Sequence, residues 1–247
     1  MFELNNNFKV TAFEDINGRS AIIVDDFYRD PDEVRELAKS LKFEEELKGG
    51  LPGIRKSLDT TEVKKKLYDV YFNLCGMYFG NFDEIEFKKN WDVQGFMVNC
   101  TNDTFLKMNP LTAVIPHQDY WPNLPSGGHT LQFGSVIYLN TPDECAGGTN
   151  LYSWNDEMSI TLDTAPEWKT SQETHFDIES PVLSSMSDDD KFNLLKDRTE
   201  SFNLKVEFKA EMKYNRMVLY PADVLHSPEI DLGMFTDYNR INQVLFL

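Results

Sequence analysis

The sequence predicts a mainly β fold with flanking helices, and three observations carry that prediction. From Asp92 onward the chain breaks into short apolar runs separated by Asn, Pro and Gly, the texture of an antiparallel barrel or sandwich. Ahead of them, two stretches repeat apolar residues at helical spacing instead. Near the end, Val206, Phe208, Ala210 and Met212 alternate with Glu207, Lys209 and Glu211, the period of a strand with one buried face. A fold of this kind can use all 247 residues as one domain.

Taken in order, Ser20 to Phe27 carries the apolar core Ala-Ile-Ile-Val stopped by Asp25-Asp26, and reads as a strand feeding a loop. A helix is expected next: Pro31 suits a first helical position after Asp30, and Val34, Leu37, Ala38 and Leu41 recur on one side. Gly49-Gly50-Leu51-Pro52-Gly53 makes a turn. A second helix from about Thr61 to Tyr78 lines up Val63, Leu67, Val70, Tyr71, Leu74 and Cys75. Residues 28–90 thus read as helical support for a sheet. Strands are then expected at Val93 to Val98, Phe105 to Met108, Ala113 to His117, Leu131 to Leu139 and Thr149 to Tyr152. Polar, acidic and Ser-rich sequence at 154–204 interrupts the pattern as an insertion or lid, with a short helix at Asp190 to Arg198. Strands resume at Val206 to Met212, Arg216 to Tyr220 and Ile241 to Leu247.

Composition narrows the partners. Lys plus Arg number 24 against 41 Asp plus Glu, and a net charge of −17 disfavours phosphate backbones and anionic lipid. No nucleic-acid or membrane partner is expected, and Lys64-Lys65-Lys66 and Lys88-Lys89 read as solvated faces. Cys75, Cys100 and Cys145 are widely spaced and odd in number, which suits a reducing interior. With neither a signal-peptide pattern nor an apolar run of about 18 residues, a soluble cytoplasmic protein is expected.

The chemistry concentrates in a few positions. In extended chain, residues 117 and 119 point one way and Gln118 the other, so His117-Gln118-Asp119 is a two-pronged clamp. His226 follows Tyr220-Pro221-Ala222-Asp223 at a strand end and can supply a third ligand. Two histidines and a carboxylate on one face of an octahedral ion leave open positions, as non-haem Fe(II) chemistry needs. His129, in a Gly-rich loop, and His175, in the insertion, read as surface residues, with His129 the stand-in ligand.

Several segments together resemble a known family. They are Pro-His-Gln-Asp at 116–119, Ser-Val-Ile-Tyr-Leu-Asn at 135–140, Gly-Gly-Thr-Asn-Leu-Tyr at 147–152 and Arg-Met-Val-Leu-Tyr-Pro at 216–221, then His226 and Arg240. Over about Phe105 to Leu247 the chain resembles the Fe(II)/2-oxoglutarate-dependent dioxygenases, nearest to prolyl-4-hydroxylase-like members in a bacterial or phage branch. The resemblance implies a double-stranded β-helix (jelly roll, cupin-like) core. It also implies Fe(II) held by His117, Asp119 and His226, 2-oxoglutarate as cosubstrate with its distal carboxylate on Arg240, and O2 as oxidant. Tyr138 matches a strand tyrosine that hydrogen-bonds that carboxylate, with core packing as its alternative. Asn242 lies two residues beyond Arg240 on the same face. Lys107 or Met108 stands where relatives carry a tyrosine, and Lys107 is a replacement candidate or an exposed strand lysine.

Arg240 follows His226 by fourteen positions rather than the family's ten or so, so the intervening turn is longer. Retention of Asp119 favours hydroxylation over halogenation, in which a small residue replaces it. The expected reaction is hydroxylation of a C–H bond of an amino acid, peptide or small metabolite, releasing succinate and CO2. Tyr120, Trp121, Pro122, Asn123 and Arg55 are candidates to line the substrate entrance. A non-catalytic jelly-roll binding protein is the competing expectation, and a cupin-like metal enzyme that needs no oxoacid is a third.

Overall fold

The structure is a computed structural model that describes residues 2–16, 18–41, 53–58, 61–93, 96–108, 110, 114–119, 131–154, 185–200 and 204–247. Its centre is a seven-stranded antiparallel sheet. Across it run β1 (Lys9–Ile16), β2 (Arg19–Asp25), β8 (Met217–Pro221), β5 (Phe133–Tyr138), β10 (Arg240–Phe246), β4 (Phe96–Thr101) and β3 (Ile54–Leu58). A smaller antiparallel sheet has the order β7 (Leu204–Glu211), β6 (Gly148–Trp154), β9 (Leu225–Glu229).

Alternation along the strands gives the large sheet two apolar faces, as burial on both sides requires. Ile22, Val24, Ile137, Leu139, Met217, Leu219 and Leu245 pack with Val34, Leu67, Tyr71, Phe87 and Trp91 from three helices. These are α1 (Pro31–Ser40), α2 (Thr61–Tyr78) and α3 (Glu84–Val93). Ala21, Ile23, Val136, Tyr138, Val218 and Tyr220 face the other way and meet Leu151 and Ala210 of the small sheet. Helices, large sheet and small sheet therefore form three layers with two cores. Two buried hydroxyl contacts pin the helical layer and the loop after β2: Tyr71 Oη lies 2.9 Å from Ser135 Oγ, and Tyr28 Oη donates to Gln243 Oε1 at 2.9 Å.

The two anticipated helices form for the anticipated reasons. Asp30 Oδ1 accepts from the Glu33 amide at 3.3 Å with Pro31 in the first turn of α1, and α2 spans Thr61–Tyr78 with Leu67, Tyr71, Leu74 and Cys75 buried. The short helix in the insertion is α5 (Asp188–Glu200), with Ser187 as its cap, accepting from the Asp190 amide at 3.2 Å. Its Phe192 and Leu195 join the core between the sheets.

Four expectations need correction. Phe105 to Met108 is not a strand but belongs to α4 (Asp103–Met108), capped where Asn102 Oδ1 accepts from the Phe105 amide at 3.2 Å. A short apolar run has no period long enough to separate the two. Val93 to Val98 divides, because Asp83 Oδ1 caps α3 through the Ile85 and Glu86 amides, Val93 closes that helix and the strand starts at Phe96. Of Ala113 to His117, residues 114–116 are not in a strand, and only His117 pairs, as a single bridge. Lastly, a bulge puts Tyr152 opposite Val206 straight after Leu151 opposite Phe208, so β7 changes phase and Val206 is exposed. β1, β3, β9 and α3 had no counterpart in the sequence reading.

All three cysteines are free, with Cys75 and Cys100 buried. Among the described residues no helix is long and apolar enough to cross a membrane. The 49–52 part of the Gly-rich turn and residues 155–184 of the insertion lie outside the described residues.

Candidate metal centre

His117 and His226 form the centre's foundation through their backbones. The His117 amide donates to the His226 carbonyl at 2.8 Å and the His226 amide returns the bond at 2.9 Å. Directly opposed residues of an antiparallel pair project to the same side. The two imidazoles therefore lie side by side, ring centroids 4.4 Å apart. Asp119 comes to that side because it is two residues on, its amide held by the Ala222 carbonyl at 2.9 Å. Gln118 turns away and donates to the Asp223 carbonyl, and Asp223 pairs with Arg19. The alternation expected of the clamp holds, although bridges rather than a full strand enforce it.

Each histidine contacts the carbonyl two residues before it through Nδ1, His117 with Ile115 at 3.1 Å and His226 with Val224 at 2.9 Å. A carbonyl only accepts, so Nδ1 carries the proton and the Nε2 lone pair points to Asp119. His117 Nε2 is 3.9 Å from Asp119 Oδ1, and His226 Nε2 is 3.4 Å from Asp119 Oδ2. One ligand atom from each of the three residues lies within 4.8 Å of the others. Asp119 Oδ2 is buried yet accepts no well-formed hydrogen bond among the described residues. A buried carboxylate oxygen without a partner is costly, and a cation at this point would supply one. The donor set of two imidazole nitrogens and one carboxylate oxygen suits a first-row transition metal. Access is from the His117 side, whose side chain is 31% exposed against 6% for His226 and 14% for Asp119.

The electrostatics set the two imidazoles apart around their shared carboxylate, favouring the neutral ring at His117 and a proton on His226. Burial pushes His117 down to about 4, with His226 adding to the effect. For Asp119, burial acts upward, but His226, His117 and Arg55 outweigh it and hold the carboxyl below its ordinary value. Burial would lower His226 too, but Asp119 and the Val224 carbonyl outweigh it and raise the ring.

The large sheet lines the rest of the site. Asp119 approaches it at Gly134 on β5, where an added Cβ would stand 3.1 Å from Asp119 Oδ2 and 2.8 Å from Tyr220 Cε2. Tyr220, on β8, packs its ring 4.5 Å from that of His226. Register aligns Arg55 on β3, Asn99 on β4, Asn242 on β10 and Tyr138 on β5 in one row facing the small sheet. Gly53 makes the entry to β3 possible: at φ +87° it runs against the Cys100 carbonyl and Thr101, where no side chain fits.

Arg240 opens β10 and is 3% exposed. Its Nη1 donates to Asn242 Oδ1 at 2.9 Å, and its Cζ lies 5.8 Å from the centre of the Tyr138 ring. Nε is buried without a hydrogen-bond partner, and no carboxylate pairs with this guanidinium among the described residues. Burial lowers its pKa, against which Tyr138 and Tyr220 act. The Tyr138 hydroxyl is 2.6 Å from Thr149 Oγ1 and ties the sheets together.

Of the residues singled out in the sequence, the structure groups His117, Asp119 and His226, and sets Tyr138 opposite Asn242, to which Arg240 donates. Lys107 is a correction: it sits on α4, not a strand, and its ammonium meets Asp103 at 3.0 Å and Asp189 at 3.3 Å. A cation with two carboxylates of its own is not waiting for a third. Tyr120, Trp121, Pro122, Asn123, His129 and His175 lie outside the described residues. Tyr220, Thr149, Gly134 and Asn99 were missed. The first two stand inside the motifs quoted above, so an alternation count along those motifs would have found them. Asn99 and Gly134 carry no local signal.

Fold and site together define a mainly β protein of two antiparallel sheets with a His–Asp–His group able to hold a metal ion. The chain belongs to DUF6445, a family of unknown function, which matches residues 6–239. No curated protein matches it by sequence. Among solved structures it is similar to a prolyl hydroxylase from Trichoplax adhaerens in complex with a hypoxia inducible factor oxygen degradation domain peptide fragment. Identity is 12%, coverage 98% of this chain and 84% of that one, and the TM-score 0.42. An N-substituted L-amino acid dioxygenase from Burkholderia ambifaria is similar at 12% identity, with 92% and 82% coverage and a TM-score of 0.38.

Proposed function

We propose that the protein is an Fe(II)- and 2-oxoglutarate-dependent oxygenase of the prolyl-4-hydroxylase-like kind. Its two sheets form a double-stranded β-helix, and it hydroxylates a C–H bond of an amino acid, peptide or small metabolite. The observation that carries this reading is the convergence of His117, Asp119 and His226 within 4.8 Å of one another, beside a sheet that carries a buried guanidinium paired with no carboxylate among the described residues. When bound, iron and 2-oxoglutarate together supply an oxidant: one atom of O2 enters the C–H bond, the other enters succinate, and CO2 leaves.

The chain's own groups bind and orient. His117, Asp119 and His226 hold the metal, with the Ile115 and Val224 carbonyls fixing both rings in the tautomer that presents Nε2. Arg240 receives the distal carboxylate of 2-oxoglutarate through its planar fork, and Asn242 anchors Nη1 so that the fork is set before the ligand arrives. Tyr138 supports that guanidinium with its ring while Thr149 occupies its hydroxyl. The Arg240 guanidinium is buried, so its charge acts strongly. The reading treats the chain as one cytoplasmic domain, with helices at 28–90 as support and 154–204 as an insertion or lid.

A non-catalytic jelly-roll binding protein has less support, because it gives no reason to leave Asp119 Oδ2 without a partner between two imidazoles. A cupin-like enzyme without an oxoacid leaves the Arg240 guanidinium unexplained. Anaerobic addition of Fe(II) and 2-oxoglutarate should produce a weak visible charge-transfer band. Asp119→Asn and His117→Ala should abolish it, and Arg240→Gln should raise the 2-oxoglutarate Kd by roughly 10- to 100-fold, the loss of a charge-assisted hydrogen-bonded pair. No band in the unaltered protein, or one indifferent to His117→Ala, would overturn the reading.

A further inference from the structure

Two arginines stand on the sheet face beside the triad, Arg240 buried and the other half-buried, and the proposed function uses one. Arg55 is the other. It reaches the site from β3, at the far end of the row through Asn99 and Asn242 from Tyr138. Its Cζ lies 5.9 Å from the centre of the Phe246 ring. Phe246 pairs with Gly134, whose position borders Asp119 Oδ2. Arg55 therefore flanks the triad on the Asp119 side, whereas Arg240 lies against Tyr138.

Arg55 Nε is buried without a hydrogen bond, and Arg55 forms no ion pair among the described residues. Burial lowers its pKa against the opposing pull of Asp119 and Tyr220, so Asp119 balances the charge electrostatically without a direct contact. Beside it on β4, Asn99 is 3% exposed, and its Oδ1 is also buried without a partner. A buried guanidinium Nε without a partner next to a buried carbonyl oxygen without one is a poor structural device, since each of these two atoms forfeits a hydrogen bond to water. As a receptor it is coherent. The fork takes a carboxylate, and the amide oxygen takes an N–H on the next atom but one. A dianionic phosphate fits less well, because Asp119 stands nearby and a single guanidinium cannot offset both charges.

We propose that Arg55 and Asn99 form the substrate subsite, and that the substrate bears a free carboxylate beside an N–H group: an α-amino acid or the C-terminal residue of a peptide. The inference rests on the oxygenase reading, because it takes the triad as the place of reaction.

The test uses the protein loaded anaerobically with Fe(II) and 2-oxoglutarate. The probes are the common L-amino acids, their N-acetyl forms as peptide C-termini, and the primary amides of both. Melting temperature and perturbation of the charge-transfer band are the readouts. At least one acid should shift both, with its amide inert, and whether the free or the N-acetyl form responds tells amino acid from peptide. Arg55→Gln should weaken that acid by roughly 10- to 100-fold while 2-oxoglutarate affinity stays within about threefold. Arg55→Lys, which keeps the charge and guards against a folding artefact, should recover part of the loss. The inference is overturned if Arg55→Gln weakens 2-oxoglutarate as Arg240→Gln does, if amides act like acids, or if no probe shifts the unaltered protein. Failure of the band to form sinks the oxygenase reading and this inference with it; a normal band with Arg55-independent acid binding sinks the inference alone.

Discussion

Gly134→Ala probes how closely β5 lets Asp119 and Tyr220 approach. The added Cβ would stand 2.8 Å from Tyr220 Cε2 and 3.1 Å from Asp119 Oδ2. Comfortable carbon contacts need about 3.5–4.0 Å, so ring and carboxylate must retreat by roughly 0.5–1 Å. Neither has room: Tyr220 is buried with its ring against His226, and Asp119 stands between two imidazoles. The backbone itself favours alanine. Gly134 is not among the glycines of positive φ, so losing its freedom in the unfolded chain contributes roughly 0.5–1 kcal/mol. Overpacking costs about 1–3 kcal/mol, which leaves a net loss of roughly 1–2 kcal/mol and a fall of about 2–8 °C in Tm for a domain of this size. Because the displaced carboxylate is a proposed ligand, Fe(II) affinity should fall with stability, by roughly tenfold. Urea unfolding of the metal-free protein and anaerobic Fe(II) titration measure the two effects separately. A variant as stable as the parent, with unchanged Fe(II) affinity, would refute the packing argument.

Two further predictions concern the support rather than the site. Gly76→Ala falls on the exposed side of α2, where the nearest atom to the new Cβ is Phe82 Cε1 at 3.9 Å. It should stabilise the protein by roughly 0.5–1 kcal/mol in urea, and a loss would show that this helical turn is misplaced. Asp25 accepts from Arg216 Nε at 2.6 Å and Nη2 at 3.0 Å, with Lys213 Nζ at 3.1 Å. The Arg216 hydrogen bond, outweighing burial with help from Lys213, holds its carboxyl below the usual range. A depressed folded pKa contributes stability that is complete above the unfolded carboxylate value and is lost as pH falls through the folded one. Asp25→Asn should therefore cost about 2 kcal/mol at pH 7 and less with acidification. Parallel stability curves for variant and parent between pH 7 and pH 3 would contradict this.

Local rules made much of this protein legible. Period two in 206–212 and apolar runs such as Ala21 to Val24 announced the sheets; Asp30-Pro31 and the stripe from Leu67 to Cys75 announced the helices. The same alternation, applied to His117, Asp119, Arg240 and Asn242, placed the chemistry on common faces. Where the signal was short it failed: Phe105 to Met108 is helix because Asn102 caps it, and Val206 is exposed because a bulge shifts the phase of β7.

By itself, then, the sequence determined which residues are of a type able to hold a metal or a carboxylate and which neighbours along the chain share a face, because those follow from residue type and backbone periodicity. Tertiary structure alone decided that His117 stands opposite His226, that Arg55 ends a row begun by Tyr138, and that Lys107 is claimed by Asp103 and Asp189. Each depends on pairing between segments far apart in the chain, where a register change of one residue turns a side chain to the opposite face. That register is set by the packing of three layers at once.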